Sequence, residues 1–158
     1  MKRFLALCLV LCSLCGLCSC GEKVDTASYT TGLLEMVKEA DAFSEELETL
    51  DQETAFLLYR FADYGLEAES VLNCAVLRSS GATCEEGVVV VWESVEQAEQ
   101  ALSALQVYLE EQIEANEDYR PNEIPKLKDA LLQQMNNSVV LIVADNMDAV
   151  SKVLSQIG

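Results

Sequence analysis

Carboxylates are the only reactive side chains this chain holds in number. It carries 27 Asp and Glu against 10 Lys and Arg, and no histidine, so the commonest general base and the imidazole metal ligand are both missing. Neither a Ser-His nor a Cys-His pair can form. The carboxylates with the best case for chemistry are Glu85 and Glu86, which follow Ser80-Gly81-Ala82-Thr83-Cys84 and directly precede an apolar strand. Consecutive strand residues point to opposite faces, so the two glutamates cannot line one site together. Ser80, Gly81, Thr83, Glu85 and Glu86 form a candidate binding loop; the alternative is an exposed polar loop that only turns the chain. A second group, Glu110, Glu114, Glu117 and Asp118, crowds the end of a long helical pattern. Like charges one turn apart and acids at a helix C-terminus cost roughly 0.2–1 kcal/mol. That frustration fits a patch for a cation or a basic partner, and a solvated face fits it too. Asp145-Asn146-Met147-Asp148 lacks the glycine and distal glutamate of a calcium loop and reads as a helix cap. Gly81 and Gly87 lack the spacing and partners of a phosphate loop. No catalytic residue, metal or cofactor is assigned.

The seven cysteines divide by position. Lys2 and Arg3 precede an apolar run from Phe4 to Cys18, the pattern of an export signal too short to span a membrane comfortably. Leu17-Cys18-Ser19-Cys20 resembles a bacterial lipobox, with a small residue before the cysteine that becomes the diacylated N-terminus. Residues 1–19 are therefore expected to be a lipoprotein signal peptide, Cys20 the lipidated residue, 20–27 a short tether, and 28–158 one domain at the extracytoplasmic face of the cell membrane. Loss of Lys2 and Arg3 from the 10 basic residues leaves 8 against 27 acidic, a formal charge of −19 rather than −17. Such a field excludes nucleic acid as a partner and leaves cationic ligands or envelope proteins.

Only Cys74 and Cys84 fall in the domain. A hairpin of Val71–Leu77 with Val88–Trp92 places Cys74 opposite a residue near Val89 and Cys84 about 16 Å away. A disulfide needs Cα atoms about 4.4–6.8 Å apart, so the two are expected to be unbonded. Glu85 and Glu86 beside Cys84 are expected to raise its pKa, which argues against thiol redox chemistry.

The elements that position these groups are read from periodicity. Helices are expected over Ser28–Phe43 and Leu50–Phe61, with Gly65 in a left-handed cap. Tyr59 and Tyr64 are either core-edge residues or ligand-stacking aromatics. Strands follow at Val71–Leu77 and Gly87–Trp92. Ser94 and Gln97 have capping-box spacing, and Val95, Ala98, Leu102, Leu105, Leu109 and Ile113 then share one helical face. Asn122 could cap a short helix to Lys128. Leu131–Met135 and Val139–Val143 are strands joined by a reversal at Asn136-Asn137, and Asp145 would cap a last helix. The strand and helix of the second unit repeat the first at offsets of 51 and 52 residues. The expected fold is α+β: two N-terminal helices, then a repeated strand–strand–helix unit, forming a four-stranded, mainly antiparallel sheet.

Several of these features stand together. A lipobox, Leu58-Tyr59, the Ser80-Gly81-Ala82-Thr83-Cys84-Glu85-Glu86 loop, an apolar strand, a long helix ending in Tyr119-Arg120-Pro121 and a closing strand–helix pair resemble the bacterial lipoprotein family called domain of unknown function 4358. The likeness covers about residues 30–157. It departs at Cys84, where the family usually has another residue, and at Gly87, where an apolar one is expected. The resemblance implies a lipoprotein of Gram-positive, mostly anaerobic gut bacteria and supplies no catalytic residue. It further implies company with membrane-bound O-acyltransferases that modify surface polymers. The functional expectation is a non-catalytic binding or accessory lipoprotein, with an accessory of O-acylation as the alternative and a redox protein or enzyme as a remote one.

Overall fold

The computed structural model describes residues 28–157. The signal peptide, Cys20 and most of the tether lie outside the described residues. Five strands form one sheet: β1 (Glu48–Leu50), β2 (Val71–Arg78), β3 (Glu86–Trp92), β4 (Leu131–Met135) and β5 (Ser138–Val143). Their spatial order is β1-β2-β3-β5-β4, and every pairing is antiparallel. The helices are α1 (Gly32–Glu39), α2 (Gln52–Leu58), α3 (Val95–Asn116), α4 (Ile124–Lys128) and α5 (Met147–Leu154). Short 3-10 turns at Phe61–Tyr64, Ala68–Ser70 and Pro121–Glu123 complete the order. No helix among the described residues is long and apolar enough to cross a membrane.

The valines of β3 need cover on both faces, and they receive it. Val88, Val90 and Trp92, with Val139, Leu141 and Val143, pack against α3, Tyr59 and Phe61. Val89, Val140 and Ile142 point the other way, onto Leu33, Leu34 and Val37 of α1 and Val150 and Val153 of α5. Gly87 belongs to this second face. A Cβ there would stand 2.9 Å from Leu34 Cδ2 and 3.4 Å from Phe43, so the apolar residue expected at this position is displaced by close packing of α1.

The sheet has five strands rather than the four expected, because Glu48-Thr49-Leu50 has neither the length nor the alternation that marks a strand. It forms by pairing with Val76–Arg78. Both N-terminal helices are present but shorter than expected, and β1 lies between them. Ser94 and Gln97 make the expected capping box. The stripe on α3 is rotated, however. Ala98, Ala101, Ala104, Leu105 and Tyr108 are buried while Val95 is 49% exposed, because alanines let the helix approach the valine-rich sheet closely. Asn122 caps nothing: Glu123 holds the N-cap place of α4 without a side-chain bond. Asn146, not Asp145, caps α5, accepting from Ala149 N at 3.1 Å.

The two strand–strand–helix units are not copies in space. Their strands superpose in sense, with Val88 and Val139 on one face, yet α3 covers that face and α5 the opposite one. The extra residue in the second linker explains the difference. Ala144 continues past Val143 into the α1 face, and α5 follows it there.

Candidate functional site

The loop between β2 and β3 is tied down at nearly every residue. Gly81 has φ +121°, a conformation that glycine adopts without strain. Ser79 Oγ accepts from the backbone N–H groups of Gly81 (3.2 Å) and Thr83 (3.0 Å) and donates to Glu45 Oε1 at 2.6 Å. Thr83 Oγ1 donates to the same carboxylate oxygen at 2.7 Å and accepts from Glu85 N at 3.1 Å. From beyond the end of α3, Arg120 donates through Nη1 to the carbonyls of Gly81 (3.0 Å) and Thr83 (3.1 Å), while Asn116 Oδ1 holds its Nε at 2.8 Å. Glu123 Oε2 accepts from Cys84 N at 2.9 Å. Ser80 is exposed.

Glu85 and Glu86 leave this loop in opposite directions, as strand alternation requires. Neither is exposed. Glu85 is fully buried; its carboxylate accepts from Ser44 N (2.8 Å), Ser44 Oγ (2.6 Å) and Lys126 Nζ (2.7 Å). Lys126 also meets Asp145 at 3.2 Å and Glu123 at 3.5 Å. Burial works to lower the Lys126 pKa, but the bonds to Glu85 and Asp145 outweigh it and hold the ammonium well above its usual range. Glu86 points into the α3 face, where Tyr59 donates to Oε1 at 2.6 Å and Tyr108 to Oε2 at 2.9 Å, with Arg78 Nε 3.5 Å away. Burial raises its pKa, and the two phenol bonds and Arg78 only partly oppose that. The same burial, with the Glu86 charge beside them, pushes both phenols up. Glu45 goes the other way, lowered chiefly by the bonds from Ser79 and Thr83.

A cleft of about 40 Å³ opens beside this cluster, lined by Arg78, Gly81, Thr83, Cys84, Tyr108 and Arg120 among others. One water occupies about 30 Å³ in the liquid, whereas small-molecule pockets run to about 300 Å³ and more. The cleft therefore fits a water-sized group. A more open depression of about 330 Å³ lies beside Lys126 and Asp145. Cys74 and Cys84 are free thiols, and Cys74 pairs with Val90 across the hairpin. Burial pushes the Cys74 thiol up to about 11 and also raises Cys84, more than its acidic neighbours do.

The second candidate patch lies on the surface near the end of α3. Glu110, Glu114, Glu117 and Asp118 are all exposed, and among the described residues no three Cys, Asp or Glu side chains are placed to hold a metal ion. The sequence reading missed the partners that hold the loop and its two glutamates: Ser44, Glu45, Arg78, Tyr108, Lys126 and Glu123. Two signals did mark the cluster. Tyr59 and Arg120 both belong to the motifs that carry the family likeness, and both converge on this loop. Tyr59 is a core residue, as its core-edge reading had it.

Fold and site together define a mixed α/β protein with a five-stranded antiparallel sheet, covered on both faces and closed at one end by a pinned acidic loop. Residues 37–144 match the model of the family Domain of unknown function (DUF4358), and the chain belongs to that family. The matched span runs from α1 to just past β5 and includes the whole loop cluster. No curated protein and no solved structure matches the chain.

Proposed function

We propose that the protein is a lipid-anchored lipoprotein of the extracytoplasmic membrane face that acts as a non-catalytic binding or accessory protein. The observation that carries this reading is Leu17-Cys18-Ser19-Cys20, which supplies both the apolar residue and the small residue that lipoprotein processing requires. The state of the loop cluster supports the non-catalytic part. Glu45, Glu85 and Glu86 each accept at least two hydrogen bonds from neighbouring protein groups, which ties all three carboxylates to the fold. Both thiols are shifted away from the reactive thiolate. The more specific version, an accessory beside a membrane-bound O-acyltransferase acting on surface polymers, rests on the family resemblance.

Cys20→Ala is expected to abolish labelling by a fatty-acid analogue and leave the chain unprocessed. Labelling that persists, or moves to Cys18, removes the anchor from the reading. In-cell crosslinking of the intact protein then separates the two versions: an acyltransferase among its neighbours supports the specific one, and its consistent absence overturns it.

A further inference from the structure

The two edges of the sheet are treated differently. At the β1 edge only three residues pair with β2, and β2 carries a bulge between Val71 and Asn73. Past β1, the outward N–H of Cys74 is taken by the Asn73 side chain at 3.0 Å. Short strands, bulges and side-chain caps are the devices by which proteins blunt an edge. Among the described residues β4 itself has no bulge, and the Gln134 side chain caps the turn beyond the strand, donating to Asn136 O at 2.9 Å. Leu131-Leu132-Gln133-Gln134-Met135 contains no proline, glycine or charge and pairs with β5 without a register shift. In a chain of formal charge −17, residues 130–144 carry no charged side chain at all.

Ladder alternation identifies the open groups. Trp92 N donates to Asn137 O at 2.8 Å, so Val139, Leu141 and Val143 turn their polar groups to β3, and Ser138, Val140 and Ile142 turn theirs to β4. Met135, Gln133 and Leu131 are their partners, which leaves the N–H and C=O of Leu132 and Gln134 facing outward. We propose that β4 is a dimerisation edge, at which two copies of this chain pair antiparallel about Gln133 to make one continuous ten-stranded sheet.

The strand is self-complementary in this register. Leu132 opposite Gln134 of the second copy exchanges both outward N–H and C=O pairs, and the two-fold repeats this to give four hydrogen bonds. Leu131 falls opposite Met135 on the face that carries the α1 core, where both are only partly buried. Gln133, exposed, meets its own copy. Charge selects the occupant. Two strongly acidic molecules repel everywhere but at a neutral surface, and β4 offers one on each partner.

Sedimentation of the purified full-length protein in a non-ionic detergent tests this, with hydrogen exchange at the Leu132 and Gln134 amides. A dimer is expected that tightens as salt rises from about 0.01 M to about 1 M, which shortens the Debye length from about 30 Å to about 3 Å. Gln134→Pro removes an N–H that the protein's own sheet does not use, along with side-chain bonds to Val95 O (3.2 Å) and Asn136 O (2.9 Å) that Gln134→Ala removes by itself. It is expected to weaken the dimer at least about tenfold relative to Gln134→Ala. Gln133→Glu keeps an acceptor for the Tyr29 hydroxyl, which donates to Gln133 at 2.9 Å, and sets two like charges face to face; it is expected to abolish pairing at low salt. A monomer at every salt concentration overturns the proposal, whether the two amides exchange freely or are protected by other residues of the same chain. So does a dimer indifferent to both Gln134→Pro and Gln133→Glu.

Discussion

Glu86 is a carboxylate held in apolar surroundings by two phenol hydroxyls, and that sets the sign of its pH response. Its folded pKa lies above the usual 4.5, so its contribution to stability is full below that value and is lost as pH rises through the raised one. Glu45 behaves oppositely: its lowered pKa gives stability that is present above 4.5 and lost as pH falls through the folded value. Thermal melts across this range are expected to show Glu86→Gln with a flatter decline above about pH 4.5 than the parent protein, whereas Glu45→Gln should differ from the parent mostly above that pH. Identical profiles for the two variants would remove the assignment of opposite shifts. Glu86→Ala is a harsher change, because it strands two buried hydroxyls at about 1–3 kcal/mol each. It should lower the urea midpoint by the equivalent of roughly 2–6 kcal/mol.

Elements carry the packing. Leu105 is fully buried on α3, so Leu105→Ala should cost about 2–5 kcal/mol, whereas Glu111→Ala breaks only a half-exposed ion pair with Arg60 and should cost at most about 1. Gly87→Ala should cost about 1–3 kcal/mol by pressing on Leu34. Combining it with Leu34→Ala should cost less than the two changes summed, and a double-mutant cycle that shows simple additivity would mean Leu34 is not the residue displaced. These elements also show how far the sequence reached. The capping box of α3, the hairpin at Asn136-Asn137 and four of the five strands were legible, because each has a local signature of spacing or turn chemistry. The rotated face of α3 was not: counting large apolar residues passes over Ala101 and Ala104, whose small size is what brings the helix onto the sheet. The burial of Glu85 and Glu86 was illegible for a different reason. Their hydrogen-bond partners lie 22 to 41 residues away in the chain, and no local pattern announces a contact of that range.

At the scale of the whole molecule the fold has two distinct ends. Ser28, the first described residue, bonds through its hydroxyl to Asn137 at 2.7 Å, and Asn137 sits beside Trp92 at one end of β3. Glu86 and the pinned loop close the other end, six strand steps away or roughly 20 Å. If Cys20 holds the lipid, the chain enters the domain at the Trp92 end, and the loop faces away from the membrane. The tether from Cys20 to Ser28 spans at most about 29 Å when fully extended, enough to cross the length of β3, but a flexible chain of that length averages only about 16 Å, which favours the upright arrangement over inversion. Fluorophores on Leu72→Cys and Ala82→Cys test this, in a background lacking Cys74 and Cys84. Leu72 is exposed near the Trp92 end and Ala82 is exposed on the loop. With the processed protein in vesicles that carry nitroxide headgroups, the Leu72 label should be quenched more strongly than the Ala82 label. Equal quenching would mean that the domain tumbles freely on its tether, and stronger quenching at Ala82 would place the loop against the membrane. Either result overturns the orientation.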